Sequence, residues 1–138
     1  MPARRHVLAL GAVVGLAAVS ACQKPSPYVT VVAGKRSASA QAVCYAHRGS
    51  VNPTCGNEAR AKVLPVQPGD RVGVSVDSSL LPGGWYVAAQ QGRSRQITEP
   101  YFSFQVGDLR GGDMVLRVVD LDRGQRPKGF WLFRLREQ

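Results

Sequence analysis

Residues 68–76, with the sequence PGDRVGVSV, decide the fold of this chain. Proline, glycine and aspartate in succession are typical of a tight turn, so a strand is expected to begin after Asp70. Three valines then alternate with Arg71, Gly73 and Ser75, and alternate residues of a strand point to opposite faces. The stretch therefore predicts a strand with one buried and one exposed face.

The same alternation recurs on both sides of this strand. Toward the N-terminus, residues 28–32, 40–46 and 61–66 have the texture of strands, the last interrupted by Pro65. Toward the C-terminus, four apolar sets alternate: Trp85, Val87 and Ala89; Phe102, Phe104 and Val106; Met114, Leu116 and Val118; Trp131, Phe133 and Leu135. About seven short strands separated by turn signals, without a helical period, predict an all-β sandwich or barrel.

The order of these segments resembles the B, C, E, F and G succession of an immunoglobulin-like sandwich. In that resemblance Trp85 is the tryptophan of strand C, packed between the sheets. Cys44 and Cys55 both precede the strand that would be B, so they do not form the inter-sheet bridge of antibody domains. We therefore expect an immunoglobulin-like sandwich of about seven strands over residues 28–138.

The N-terminus has the organisation of a cleaved secretory signal. Arg4 and Arg5 precede an apolar run too short for a membrane span, and small residues follow immediately before Cys22. Residues 1–21 are predicted to be a lipoprotein signal peptide, Cys22 the lipidated residue, and 22–27 a tether. The alternative is an ordinary signal peptide followed by a chance cysteine. The two arginines leave the general and the twin-arginine export routes open.

Removal of the predicted signal peptide determines the length, the charge and the number of free cysteines of the remaining chain. Removing 21 of the 138 residues leaves 117, with 16 basic and 9 acidic residues in place of 18 and 9, so the net charge falls from +9 to +7. One domain of this length can bury a core. With Cys22 assigned to lipid, Cys44 and Cys55 are predicted to form a disulfide in an oxidising compartment. A metal pair or a reactive thiol is less favoured, because His47 is the only histidine after residue 21.

The chain after the signal also resembles a family of actinobacterial lipoproteins that has no assigned activity. The resemblance lies in the order of several short features: the 19–22 segment, Cys44-Tyr45 with Cys55, the 68–70 turn, Gly84-Trp85, and Gly129-Phe130-Trp131. It implies a lipid-anchored, extracytoplasmic β-sandwich and implies no mechanism.

The sequence does not predict an enzyme. A catalytic triad needs a base beside a nucleophile, and His47 lies within the short segment between the two cysteines. Asp120 and Asp122 are the carboxylate pair of a remote envelope-hydrolase alternative, but they flank a predicted hairpin turn, where aspartate is common. No cofactor or metal ion is expected, because the sequence contains no nucleotide fingerprint, phosphate loop or metal-ligand cluster.

The last predicted hairpin places cations on one outer face. If Met114, Leu116 and Val118 point inward, Arg117 points outward, and the same parity sends Leu132, Arg134 and Arg136 outward from the last strand. Pairing of these strands is expected to bring Arg117 near Arg134. Because like charges destabilise each other, a counter-charge is expected there. Tyr86 is expected to point outward on the neighbouring strand and to support an arginine.

Three interpretations of this face remain open: a solvated surface, a site for an anionic lipid or wall polymer, and a docking surface for a protein partner through arginine, tyrosine and exposed Leu132. We expect a lipid-anchored binding or accessory module on the extracytoplasmic face of the cell membrane, engaging an anionic envelope component. An adaptor docking to a membrane or secreted protein is the alternative. Nucleic acid is not an expected partner of an exported protein.

Overall fold

The structure is a computed structural model, and it describes residues 24–47, 54–55, 61–109 and 112–138. Its β-strands are β1 (Tyr28–Ala33), β2 (Arg36–Gln41), β3 (Cys44–Tyr45), β4 (Thr54–Cys55), β5 (Lys62–Val66), β6 (Arg71–Val76), β7 (Trp85–Ala89), β8 (Gly92–Arg93), β9 (Tyr101–Gln105), β10 (Asp113–Leu121) and β11 (Pro127–Glu137). One turn of 3₁₀ helix spans Ser78–Leu80. Within these ranges no helix is long and apolar enough to cross a bilayer. The predicted signal peptide and Cys22 lie outside the described residues.

The strands form two sheets. The small sheet has the order β2-β1-β6-β9, and the large sheet has the order β4-β3-β11-β10-β7-β8. Strand β5 joins the large sheet by pairing parallel to β11, from Lys62 opposite Phe133 to Val66 opposite Glu137. All other strand pairs are antiparallel. The expected all-β sandwich is confirmed.

The partition of strands between the sheets agrees with the immunoglobulin-like order. Strands β6 and β9, expected as B and E, are neighbours in the small sheet, whereas β7, β10 and β11, expected as C, F and G, are neighbours in the large sheet. The strand count of about seven was too low, because β3, β4 and β8 are two-residue strands without a detectable period. The strand predicted over 40–46 is interrupted, because β2 ends at Gln41 and β3 begins at Cys44.

The turn before β6 forms as its sequence predicts. The Asp70 N–H donates to the Gln67 carbonyl at 3.0 Å. Gly69 has a backbone φ of 90°, a conformation that residues other than glycine rarely adopt. The Asp70 carboxylate accepts from the Gln67 N–H at 2.9 Å. The turn fixes the start of β6 and therefore the face on which its valines lie.

The core lies between the sheets and follows the predicted alternation. Val72, Val74 and Val76 from the small sheet are buried in one cluster with residues of the large sheet. The cluster includes Trp85, Val87, Met114, Leu116, Val118, Trp131, Phe133 and Leu135. Both buried indole N–H groups donate a hydrogen bond to a backbone carbonyl. Trp85 Nε1 donates to the Glu99 carbonyl at 2.9 Å, and Trp131 Nε1 donates to the Pro27 carbonyl at 3.0 Å.

The predicted disulfide is present and lies beside the large sheet. Cys44 and Cys55 are joined and are cross-strand partners of β3 and β4. Cys44 also pairs in register with Phe130 of β11. The bridge therefore joins β4 to β3 at one edge of the large sheet, and in the chain-entropy model a loop of this size contributes roughly 3 kcal/mol.

Substitution of Trp85 tests the core. Trp85 is 0% exposed, so Trp85→Ala should lower the free energy of unfolding by about 3 to 5 kcal/mol, measured by chemical denaturation. Tyr28→Ala is the control because Tyr28 is an exposed aromatic residue of β1, and it should change stability little. Equal midpoints for the wild type and the Trp85 variant would refute the packing role of this indole.

Candidate functional site

The outer face of the large sheet carries four cations and one acid. It comprises Arg93 of β8, Arg117 of β10, and Arg134 and Arg136 of β11, together with Asp113. Between these charges lie the rings of Tyr86 and Phe130 and several aliphatic side chains, because alternate residues of each strand point outward. We call this surface the arginine face.

Asp113 is the counter-charge that the sequence requires, and it holds two of the four arginines. Arg136 donates from Nε at 3.0 Å and from a terminal nitrogen at 3.3 Å, and Arg134 donates to the same carboxylate at 3.3 Å. These hydrogen bonds, first from Arg136 and then from Arg134, hold the pKa of Asp113 below its usual range. Arg134 and Arg136 lie together as predicted, but they are already occupied by an internal acid.

Arg117 lies apart from this ion-pair cluster. In register, Arg117 is opposite Leu132, whereas Arg134 is opposite Val115, so the two arginines are diagonal neighbours. Arg117 and Arg134 therefore lie near each other on the outer face, as expected, but they are not directly opposite. The Cζ atom of Arg117 instead lies 4.9 Å from the centroid of the Phe130 ring. Within the described residues Arg117 forms no ion pair.

Tyr86 points outward, as predicted, and supports an arginine, but the arginine is not one that the sequence suggested. Its ring lies under Arg93, whose Cζ atom is 5.1 Å from the ring centroid. Arg93 follows the turn at Gln90 and Gln91 and pairs in register with Ala88. Sequence reasoning missed this contact because β8 has only two residues, so the pairing of Arg93 with Ala88 on the outer face that Tyr86 shares had no sequence pattern to indicate it.

The outer face is better packed than an isolated surface would be. Leu132, expected to be exposed, is only 6% exposed, and Val119 is only 4% exposed. In register, Val119 has Tyr86 on one side and Phe130 on the other, and Leu132 has Arg117 beside it. Large side chains thus surround these aliphatic residues. The side-chain groups that a ligand can reach on this face are guanidiniums and aromatic rings. Leu132 does not protrude from the face as an apolar anchor.

Other features of the described residues are less suited to ligand binding. A cleft of about 440 Å³ at the foot of the face is lined by Asp108 and Asp113, and no lysine or arginine is among the described residues that line it. No group of three potential metal-ligating side chains occurs in the ranges that the structure describes. The ring of His47 packs edge-on against Tyr45, with 5.1 Å between centroids.

The two aspartates of the last hairpin have different environments. Asp122 stabilises the turn: its carboxylate accepts from the backbone N–H of Arg126 at 3.0 Å and from Arg126 Nε at 3.1 Å. The backbone hydrogen bond is the main reason why the pKa of Asp122 lies below its usual value. The expectation of a turn role is confirmed for Asp122 only.

Asp120 lies within β10 and points into the sandwich, which corrects its expected place at the turn. It is 1% exposed, and its Oδ2 atom has no hydrogen-bond partner among the described residues. Its cross-strand neighbours are Trp85 on one side and Gly129 on the other, and Gly129 pairs in turn with Tyr45. A Cβ atom at Gly129 would lie 2.6 Å from the Tyr45 ring, so the ring fills the space of the missing side chain.

Burial raises the pKa of Asp120 to about 6, because the surroundings disfavour its charged form. The positive charge of Lys128 opposes this effect. Strand β11 has one extra residue here: Asp120 pairs with Gly129 and Leu121 with Pro127, which leaves Lys128 in a bulge. Lys128 Nζ lies 5.2 Å from the Tyr45 ring centroid.

Asp120 is expected to make the protein more stable as the solution becomes mildly acidic. Because the folded pKa is about 6 and the unfolded pKa about 3.9, its contribution to stability is full below about pH 4 and is lost as the pH rises through about 6. Asp120→Asn should therefore raise the free energy of unfolding at pH 8 by about 1 to 3 kcal/mol. It should also flatten the increase seen in the wild type between pH 7 and pH 5, measured by denaturation at each pH.

Asp122→Asn is the matched control, because its carboxylate stays ionised throughout that range and so leaves the wild-type pH dependence in place. A wild type whose stability does not rise between pH 7 and pH 5 relative to Asp120→Asn would show that Asp120 is accommodated as a carboxylate.

Comparison of the chain with models of known protein families, with curated proteins and with solved structures gave no match. The arginine face and the buried carboxyl are therefore interpreted from their own geometry.

Proposed function

We propose that this chain is a lipid-anchored binding module of the cell envelope, held to the membrane at Cys22, and that its arginine face engages an anionic envelope component. The observation that carries the proposal is the stacking of Arg117 on Phe130 without an acidic partner among the described residues. An arginine held against an aromatic ring keeps its plane fixed and its N–H edge available to a carboxylate or phosphate.

The distribution of charge supports this function. On the small sheet, the outward-facing residues of all four strands are Tyr28, Thr30, Val32, Ser37, Ser39, Gln41, Arg71, Gly73, Ser75, Tyr101, Ser103 and Gln105. Arg71 is the one cation in this described set, since Arg36, at the end of β2, pairs with the inward-facing Ala33. The arginine face has four, of which two share Asp113. Because binding sites for anions combine excess positive charge with preformed donors, the large sheet is the more suitable side of the sandwich.

A protein partner is the second candidate. Arginine and tyrosine are the residues that dominate many protein interfaces, and Val63 adds 45% exposed aliphatic surface on β5, opposite Arg134 in register. Crosslinking in living cells distinguishes the two, since a defined protein would support docking and recovered polymer or lipid would support anion binding.

The anchor is tested at Cys22. Cys22→Ser should abolish metabolic labelling with fatty acid and release the protein from the membrane fraction, because stable anchoring needs acyl chains at that cysteine. The control replaces Cys44 and Cys55 together with Ser, which removes the disulfide and leaves the proposed lipid site. If the Cys22 variant is still labelled and still sediments with membranes, the lipoprotein assignment is incorrect.

The anion-binding function is tested with the full chain immobilised on a biosensor. Phosphatidylglycerol vesicles and long-chain inorganic polyphosphate serve as probes. Binding should weaken as salt increases from about 0.05 to about 0.5 M, because exposed charges are screened. Arg117→Gln should reduce affinity about tenfold, as expected for loss of a charge-assisted hydrogen bond.

Arg71→Gln on the opposite face removes the same charge and should leave affinity nearly unchanged. Equal effects of the two substitutions would indicate attraction to overall charge alone, and no effect of Arg117→Gln would reject the proposed site.

A further inference from the structure

Two arginines of the arginine face have the same local surroundings on different strands. Arg117 of β10 lies over Phe130 of β11, and Arg93 of β8 lies over Tyr86 of β7, with ring-centroid distances of 4.9 and 5.1 Å. In both cases the ring is two residues before the arginine's own cross-strand partner. The two side chains therefore lean toward the same end of the sheet.

The register of three strands places these arginines in one line. Arg93 pairs with Ala88, and Ala88 pairs with Arg117. Two strand separations lie between the arginines, which corresponds to about 10 Å. The residue between them has only a methyl group, so no large side chain of β7 fills the gap. Tyr86 and Phe130 lie in the adjacent row, both paired with the same residue of β10.

Arg93 and Arg117 are also the two arginines of this face that have no acidic ion-pair partner among the described residues. Among the described residues neither Arg93 nor Arg117 takes part in an ion pair, whereas Arg134 and Arg136 share Asp113. Asp113 is four residues from Arg117 along β10, or about 13 Å. The available cations of the face are therefore two in number within the described residues, oriented alike and arranged along a line that crosses the strands.

We propose that Arg93 and Arg117 form a two-point site for a linear polyanion, a chain polymer that carries phosphate or carboxylate groups along its length and crosses β8, β7 and β10 above Ala88. This inference rests on the proposed function and specifies its ligand. Two fixed donors at one spacing select repeated charge, because the second contact forms at the high effective concentration set by the first.

A chain is favoured over a flat membrane by the shape of the charge distribution. A lipid surface would meet the whole outer face, including the Asp113 cluster, where each additional arginine is already neutralised in part. A chain that follows the line from Arg93 to Arg117 meets both available guanidiniums and avoids that carboxylate. Vesicle binding is accordingly the rival outcome of the test.

The experiment uses the full chain immobilised on a biosensor, with inorganic phosphate, long-chain polyphosphate and phosphatidylglycerol vesicles as probes. Polyphosphate should bind about 100-fold or more tightly than phosphate, expressed per chain, because it can reach both arginines. Arg93→Gln and Arg117→Gln should each lower polyphosphate affinity at least tenfold. Each should also reduce the slope of log affinity against log salt by about one, as expected when one charge contact is lost.

Two variants control for charge and for folding. Arg71→Gln removes an arginine from the outer face of the other sheet, and it should change polyphosphate affinity less than twofold. Tyr86→Leu keeps every charge but removes the ring under Arg93, and it should weaken polyphosphate binding more than phosphate binding, because phosphate can still bind at Arg117. Circular dichroism of each variant should match that of the wild type.

The outcomes separate this inference from the proposed function. Loss of binding in Arg117→Gln with no effect of Arg93→Gln would overturn the two-point site and leave a single-anion site at Arg117. Binding of vesicles without binding of polyphosphate would likewise overturn the linear ligand. Indifference to both substitutions would reject the proposed function as well.

Discussion

The antiparallel register of β10 and β11 is the constraint on which the rest of the molecule depends. Successive side chains of a strand alternate between faces, so this one register both places Leu116 opposite Phe133 in the core and places Asp113 opposite Arg136 outside. A slip by one residue would bury the arginines and expose the aromatic core. The core and the arginine face are therefore consequences of the same pairing, and neither can change without the other.

The sequence was sufficient to predict those features that depend on alternation alone. The turn at residues 68–70, the inward valines of β6, burial of Trp85 and the outward direction of Arg117 all follow from period-two patterns next to strong turn signals. The prediction of the Cys44–Cys55 disulfide rested on a different argument. Cys22 was assigned to the lipid, so the other two cysteines were expected to pair. Features that depend on register could not be predicted in this way, because a pattern gives a face but no partner. For this reason the sequence predicted that Arg117 and Arg134 share a face but did not predict the contact of Arg117 with the Phe130 ring.

The bulge at Lys128 shows a second limit of pattern reasoning. Its extra residue changes the pairing between β10 and the start of β11, and the aspartate expected at a turn is buried beside Trp85. The parity of Met114, Leu116 and Val118 does extend to Asp120, so the sequence contained the signal. A carboxyl at that position conflicts with the usual exclusion of charge from a core. The aspartate side chain favoured a turn, but the position of Asp120 within β10 places it inside the sandwich.

The parallel pairing of β5 with β11 has a consequence for how the protein acquires its structure. Strand β11 comes last among the described strands, yet it lies inside the large sheet, between β10 on one edge and β3 with β5 on the other. Residues 62–66 cannot form their strand pairing until residues 133–137 have been synthesised. Contacts between residues so distant along the chain slow folding. Synthesis must therefore reach Glu137 before the pairing of β5 with β11 can be completed. A nascent chain that ends before residue 127 lacks the strand that joins β10 to β3 and β5, so the two parts of the large sheet cannot yet be connected.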